Sequence, residues 1–544
     1  MNLRYEKRRN TMKKGTIVLA IAGLMLIGCG HEGKYVPGNT HHNSGDPVET
    51  SLAALVAVEG CDDLLDSLKD QAIIDMTEKL DQNLEMVLEG IESGYFYGGC
   101  YLEGDVAYSG GRGAPTSANQ GSSPPPSPGA KDFSTTNNQV SGVDEADFLK
   151  NDGKYIYIVA DGKFQIIDAW PAANAEKIVS VEMEGTPKKL FVHKDRAVVY
   201  SSLGPVNQNT GYDPYYDYYG GDHECTYGYN CDFTGDGKIL QVTVFDIEDK
   251  ENPEKIREIT FSGSYLNSRR IEDIVYSVVI FPEITIPGIN YWPEELVEMY
   301  DYCYMEEQPF ASAEEAIAAF EQLKEDNIDI IEDSSITEYL PGISDMRYIN
   351  GEEVTEEGLL DSCDNFYMAQ VDDANALLST VAFEIDELAA LGATTVVGQP
   401  GAVYATADSL YVANRQQSGG SYGWYYQDEE ANPEATTVHK FRLYPNHVKT
   451  DYVGSGVVKG RILNQFSMDE YEGHLRVAST TGHLPDPNTH STISILAEGN
   501  GELVTTGIID DIAPTEDIRS CRFNGRLGFV VTFNKADAVL VFDR

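Results

Sequence analysis

Three features predict an all-β fold for this 544-residue chain. From Gly142 onward, short alternating strands follow one another at even spacing and the turns between them are rich in Asp, Asn and Gly, and in the whole chain helical periodicity is confined to two places. A β-propeller accommodates that many antiparallel strands with few exposed edges. The expected architecture is therefore a propeller of roughly six to eight four-stranded blades, complete or incomplete, with a helical insertion and a small N-terminal helical segment. A sandwich or a β-helix is the structural alternative.

The strand grammar is clearest in "DGKYIYIVADGKFQIIDAW" (Asp152–Trp170), where two apolar runs flank an Asp-Gly turn, a hairpin signature. The pattern returns in "KKLFVHKDRAVVYSS", "SRRIEDIVYSVVIF", "GAVYATADSLYVANR", "GHLRVASTTG" and "SCRFNGRLGFVVTF". One helical stretch lies within about 292–340. There "SAEEAIAAFEQLKEDN" pairs Ser312 with Glu315 as a capping box ahead of Ala316, Ile317, Phe320 and Leu323 on one face. The other lies in 51–92, where Leu65, Leu68, Ala72, Ile73, Met76 and Leu80 share a face and suit a small cap or docking element. Between this segment and the propeller domain, 139–544, residues 93–138 are a Gly/Ser/Pro-rich linker.

Residues 1–28 carry six basic residues, one acidic residue and a short apolar run, and close on "LIGC", which resembles a bacterial lipobox with Cys29 as the lipidated residue. Residues 29–50 would then be a tether, and Gly30 after the Cys favours the outer membrane in a two-membrane cell. The expected location is extracytoplasmic, with membrane contact through the lipid on Cys29. Without residues 1–28 the chain keeps 33 basic and 87 acidic residues, a formal charge of about −54, which argues against nucleic acid as a partner.

Among the remaining cysteines, Cys225 and Cys231 are the best local disulfide pair, with Cys61–Cys100 and Cys303–Cys363 as further pairings. Cys521 sits in an alternating apolar stretch and reads as a buried free thiol.

Several stretches resemble a known family. They are "TTNNQVSGVDEADFLKNDGKYIYIV" (Thr135–Val159), "VFDIEDKENPEKIREITFSGSYLNSRRIEDIVYSVV" (Val244–Val279), "TTVHKFRL" (Thr436–Leu443) and "LNQFSMDEYEGHLRVASTTG" (Leu463–Gly482). Together they are similar to secreted bacterial and archaeal proteins with a C-terminal β-propeller domain distantly related to WD repeats. The resemblance implies a propeller with a helical insertion and implies no activity. Members of that family continue past the equivalent of "VLVFD", so the ending of this chain at Arg544 suggests a blade cut short, with an exposed edge strand.

Sialidase-type Asp boxes, a Trp in each blade, His-Glu-x-x-His, phosphate loops and Cys-x-x-Cys pairs are all missing from the sequence. The best ion-binding stretch is "CDFTGDGKI", where Asp232, Thr234 and Asp236 precede Gly237 like half of a calcium loop; an ordinary Asp-Gly turn is the alternative. Asp144, Glu145 and Asp147 of "GVDEAD" group carboxylates whose expected role is structural. Tyr215, Tyr216, Tyr218 and Tyr219 in one loop, and Trp424, Tyr425 and Tyr426 in another, supply rigid amphipathic contact area suited to a protein or glycan. His474, His483 and His490 fall in one strand-turn-strand region, where scattered surface histidines are the alternative to a metal site.

The functional expectation is a non-enzymatic cell-envelope lipoprotein whose acidic propeller binds a partner. A metal-dependent hydrolase with carboxylates at the channel, or the product of a truncated or split gene, are the alternatives.

Overall fold

The computed structural model describes residues 55–93, 138–205, 235–281, 286–297, 310, 312–349, 351–360, 363–368, 376–386, 389–398, 400–416, 435–482, 484, 487–532 and 539–543. Its blades are runs of neighbouring antiparallel strands. Two short strands, β1 (Val56–Ala57) and β2 (Asp144–Glu145), precede the blades in the chain. Blade one is β3 (Leu149–Asn151), β4 (Tyr155–Ala160), β5 (Lys163–Asp168) and β6 (Glu176–Glu182). Blade two is β7 (Thr186–His193), β8 (Arg196–Pro205), β9 (Lys238–Asp246) and β10 (Glu254–Phe261), widened by β13 (Gly342–Ile349) and β14 (Glu352–Leu359). Blade three is β11 (Ser264–Ile271), β12 (Ile274–Phe281), β16 (Leu377–Glu384) and β17 (Gly392–Val397). It is flanked by β15 (Phe366–Met368) and β1 on one side and by β2 on the other.

Blade four is β18 (Ala402–Ala405), β19 (Ser409–Gln416), β20 (Ala435–Leu443) and β21 (Thr450–Lys459). In blade five, β22 (Arg461–Ile462) and β23 (Met468–Tyr471) both pair with β24 (His474–Thr481), followed by β25 (His490–Gly499) and β26 (Glu502–Ile512). Blade six is the three-stranded β27 (Ile518–Asn524), β28 (Leu527–Thr532) and β29 (Val539–Asp543). Six blades are thus present among the described residues.

Local chemistry explains the hairpins. Asp161 and Gly162 both take positive φ, 53° and 71°, so the β4–β5 connection has the twist that matches its strands. Packing then sorts the blades. All eight residues of β12 are buried, because blade three is covered on both faces, whereas β4 alternates buried and half-buried positions. Five hydrophobic clusters join successive blades: one to two, two to three, three to four, four to five and five to six.

The helices are α1 (Cys61–Ser93), the short α2 (Glu294–Val297) and α3 (Ala313–Asp333). Ser312 caps α3 by accepting the Glu315 N–H, as its sequence position indicated. Helix α1 lays Leu64, Leu68, Met76, Leu80 and Val87 into the same core as Ala316, Phe320 and Ile331 of α3 and the strands of blades two and three. Polar locks fix the contact. Lys69 Nζ donates to the Glu332 carbonyl at 2.6 Å, Asn83 Nδ2 to the Tyr291 carbonyl at 2.8 Å, and Asn327 Nδ2 to the Asn290 carbonyl at 2.7 Å.

The helices α2 and α3 fall within 292–340, and the strands β13 and β14 that follow them add to the outer edge of blade two. One expectation is corrected. Cys61 pairs with Cys363, 302 residues away, with Cα atoms 5.1 Å apart, so neither Cys61–Cys100 nor Cys303–Cys363 forms. The reason is tertiary: β1 pairs with β15 and brings the start of α1 beside the turn at Cys363–Asn365. Cys100, Cys303, Cys225 and Cys231 lie outside the described residues. Cys521 is a buried free thiol, and burial pushes its ionisation up to about 12.

A charged lock holds the widened sheet. Arg257 of β10 grips Asp345 of β13 through Nε at 2.8 Å and a second nitrogen at 2.7 Å, with both side chains almost wholly buried. Burial alone would raise the Asp345 carboxyl, but hydrogen bonds and charge from Arg257, and then Arg347, outweigh it and hold the group below its usual range.

Blade four contains a neutral polar relay. His439 Nδ1 meets Ser455 Oγ at 2.5 Å and its Nε2 meets Asn414 Nδ2 at 3.2 Å, while Ser455 also contacts Tyr452 OH at 2.8 Å. Burial lowers the His439 pKa from 6.5 to about 4. The unfolded chain therefore binds the extra proton first as the pH falls below 6.5, and stability drops until the folded state also titrates near 4. The cost accumulated across that window is on the order of 3 kcal/mol. Urea midpoints measured from pH 7 to pH 4.5 should fall, and His439→Gln should flatten that dependence.

Candidate functional site

The two most distinctive sequence blocks meet at the centre of the fold. "GVDEAD" forms β2, which pairs with β11 of blade three through Arg269↔Glu145 and Arg270↔Asp144, and Asp147 bridges Leu190 of blade two. Just before it, Gln139 Nε2 donates to the carbonyls of Gln465 and Met468 in "NQFSMDEY" at 3.3 and 3.0 Å. Gln465 Nε2 returns a bond to Glu145 at 3.2 Å, and its Oε1 accepts from the buried Arg269 at 2.8 Å. One short segment thus ties blades two, three and five together, an arrangement whose participants Arg269 and Gln465 carried no sequence signal of their own.

The carboxylates of this hub are occupied. Asp144 pairs with Lys150 at 2.7 Å and Arg270 at 3.2 Å; Glu145 accepts from the Gln139 and Gln465 amides; Asp147 accepts the Phe148 N–H at 2.8 Å. Burial pushes the Lys150 ammonium down against the pull of Asp144, which puts this cation in the interior as a structural counter-charge. In the second block, Asp469 pairs with Arg476 at 2.5 Å, and Glu470 accepts from Tyr411 at 2.7 Å. These contacts are joints between strands and blades.

Asp236 is buried, with its carboxylate bound by Lys188 Nζ and Ser202 Oγ, each at 2.5 Å. A cation at this turn would share Asp236 with an ammonium group. Asp232 and Thr234 lie outside the described residues, as does His483. His474 and His490 stand at opposite ends of the β24–β25 hairpin, in register with Ala497 and Thr481, about 23 Å apart along the strands. Among the described residues no three His, Cys, Asp or Glu side chains gather as a metal site.

What the topology does collect is connections. In blades two, three and four, the link between the second and third strands is long: it leaves β8 for β9, β12 for β16, and β19 for β20. Equivalent strand ends in successive blades point to the same face of a propeller, so the strand ends that carry these three links share one face. The middle one contains α3, which α1 covers. Tyr215, Tyr216, Tyr218, Tyr219, Trp424, Tyr425 and Tyr426 belong to the outer two links and lie outside the described residues. The opposite face carries short turns bound by ion pairs. Examples are His193–Asp273 at 2.7 Å, Lys194–Asp273 at 2.5 Å and Arg196–Asp246 at 2.8 Å.

An uncharacterized protein of Methanocaldococcus jannaschii is 24% identical over 427 residues, covering 76% of this chain and 60% of that protein. An uncharacterized protein of Archaeoglobus fulgidus is 38% identical over 110 residues, covering 20% of this chain and 16% of that protein. The chain therefore spans about 60% of the length of the first of these relatives. The crystal structure of the N-terminal domain of Nup159 aligns over 71% of this chain and 73% of its own, at 8% identity and a TM-score of 0.20. The family profile described as a beta propeller domain matches residues 133–543, and the chain belongs to that family.

Proposed function

We propose that this protein is a binding scaffold of the cell envelope, lipid-anchored at Cys29, whose working surface is the face bearing the three long connections. The observation that carries this reading is the common face of the described strand ends that lead into them in three consecutive blades; in the sequence the outer two links are rich in aromatics. Tyrosine and tryptophan give large contact area at low entropic cost, and a propeller supplies a rigid platform beneath them. The strong negative charge favours a partner that is cationic or uncharged, such as a basic protein surface or a neutral glycan, over nucleic acid. The carboxylates at the hub support a scaffold reading over a hydrolytic one, because each already accepts from a structural donor.

Substitution of the aromatics tests it. The lipid-free chain should capture a partner from envelope extract or a glycan panel, and a variant with Ser at positions 215, 216, 218, 219, 424, 425 and 426 should lose at least about 10-fold in affinity. Equal capture by both chains rejects the reading.

A further inference from the structure

The contact between blades five and six changes character along its length. Ala478, Ile493, Ile512, Ile518, Cys521 and Val530 form an apolar core. Toward the end where β24 and β26 finish and β25 and β27 begin, the same faces carry hydroxyls. Ser491 lies opposite Thr480 and Ile512, and Thr532 lies opposite Ile518, so the register aims Thr480, Ser491 and Thr532 into the contact. Thr489, two residues before Ser491, is wholly buried. Thr480 is engaged, because its Oγ1 accepts the Ile518 N–H at 3.1 Å. The hydroxyls of Thr489, Ser491 and Thr532 are different: each residue is at most 3% exposed, and none of the three has a hydrogen-bond partner among the described residues. Glu516 Oε2, on the turn from β26 to β27, is also sealed from solvent and also lacks one. Printed contacts bracket that turn with the three hydroxyl residues. The Thr515 N–H donates to the Thr489 carbonyl at 2.6 Å, Ile512 faces Ser491, and Ile518 faces Thr532. The turn keeps an unusual backbone to do this, with Ala513 and Thr515 at φ of 47° and 70°.

We propose that this pocket binds a calcium ion, with Glu516 as its charged ligand and the hydroxyl oxygens of Thr489, Ser491 and Thr532 as neutral ones. Buried polar atoms are normally satisfied, so four orphaned oxygens around one turn call for an occupant. Water can satisfy hydroxyls, but a carboxylate oxygen shut away from donors needs positive charge. The neighbouring side-chain cations are committed elsewhere: Arg519 pairs with Asp517 at 3.0 Å and Lys459 with Asp510 at 2.9 Å. An oxygen-only donor set selects a hard cation, and calcium tolerates irregular geometry and completes its shell with carbonyls or water, whereas magnesium demands a near-ideal octahedron. One carboxylate makes the site weak, with a dissociation constant on the order of 10⁻⁴–10⁻³ M. The proposal goes beyond the binding reading above, because it needs no partner.

The test uses the chain lacking only residues 1–28 and carrying Cys29→Ser, whose described fold begins at Leu55. Its melting temperature should be higher in millimolar calcium chloride than in EDTA and should keep rising with calcium concentration. Glu516→Gln, which keeps the shape and removes the charge, should weaken calcium binding by at least about 10-fold in calorimetry. In EDTA that variant should melt no lower than the wild type, a result that a merely structural glutamate would not give. Ser491→Ala keeps the charge and should shrink the calcium shift in the same direction. Glu353→Gln, at an exposed position on β14, should leave it unchanged. A wild-type melting temperature equal in calcium and EDTA, as a pocket filled by water alone would give, overturns the proposal. So does a calcium shift of full size in both Glu516→Gln and Ser491→Ala.

Discussion

Asp345→Ala is expected to destabilise the protein by about 3–5 kcal/mol, because it strands the Arg257 guanidinium in the interior without its bidentate partner. Arg257 would keep only the Ala389 carbonyl, at 3.0 Å. The loss should appear as a lower urea midpoint at neutral pH. A double replacement by apolar residues, Arg257→Met with Asp345→Leu, should recover most of it, since the large cost lies in the unpaired charge. A midpoint unchanged in Asp345→Ala would show that the pair contributes nothing. The pair holds the Asp345 carboxyl below its usual range, so its contribution is full at pH 7 and is lost as the pH falls below the ordinary carboxylate value.

Cys363→Ser is the second large effect. The Cys61–Cys363 bridge closes a separation of 302 residues, and constraint of the unfolded chain on that scale is worth up to roughly 5 kcal/mol. Its removal should also loosen α1, whose N-terminus it fixes beside blade three. Thermal denaturation with and without reductant reads this directly. The wild-type melting temperature should drop on reduction to that of Cys363→Ser, and the variant should not respond. A melting temperature insensitive to reduction would mean that α1 is held by its apolar face and the Lys69 and Asn83 locks alone.

How much of this was legible in the sequence depended on range. The hairpins could be read because alternation and Asp-Gly turns act over a few residues, as at Tyr155–Asp168. Helix α3 was legible through Ser312, Glu315 and its apolar stripe. The strand β14 was not: seven of the eight residues in "EEVTEEGL" are exposed at the sheet edge, so no apolar alternation marks it, and its glutamates blunt that edge against pairing. Arg257 and Asp345 looked like surface charges because only tertiary pairing buries them. The disulfide was misassigned because the docking of β1 on β15, and no local spacing, brings Cys61 to Cys363. The hub was half legible: "GVDEAD" and "NQFSMDEY" stood out as blocks, and their mutual contact came from the packing of blades three and five around them.

The proposed function assigns binding to the face whose strand ends carry the long links. The measurement that bears on this most directly is a hydrogen-exchange footprint of the protein with and without its captured partner. Protection is expected at the strand ends that carry the long links, around Ser202–Pro205, Lys238–Leu240, Asn414–Gln416 and Ala435–Thr437, with none at the opposite turns around His193–Arg196 and Thr406–Ser409. Protection confined to those opposite turns would contradict the account.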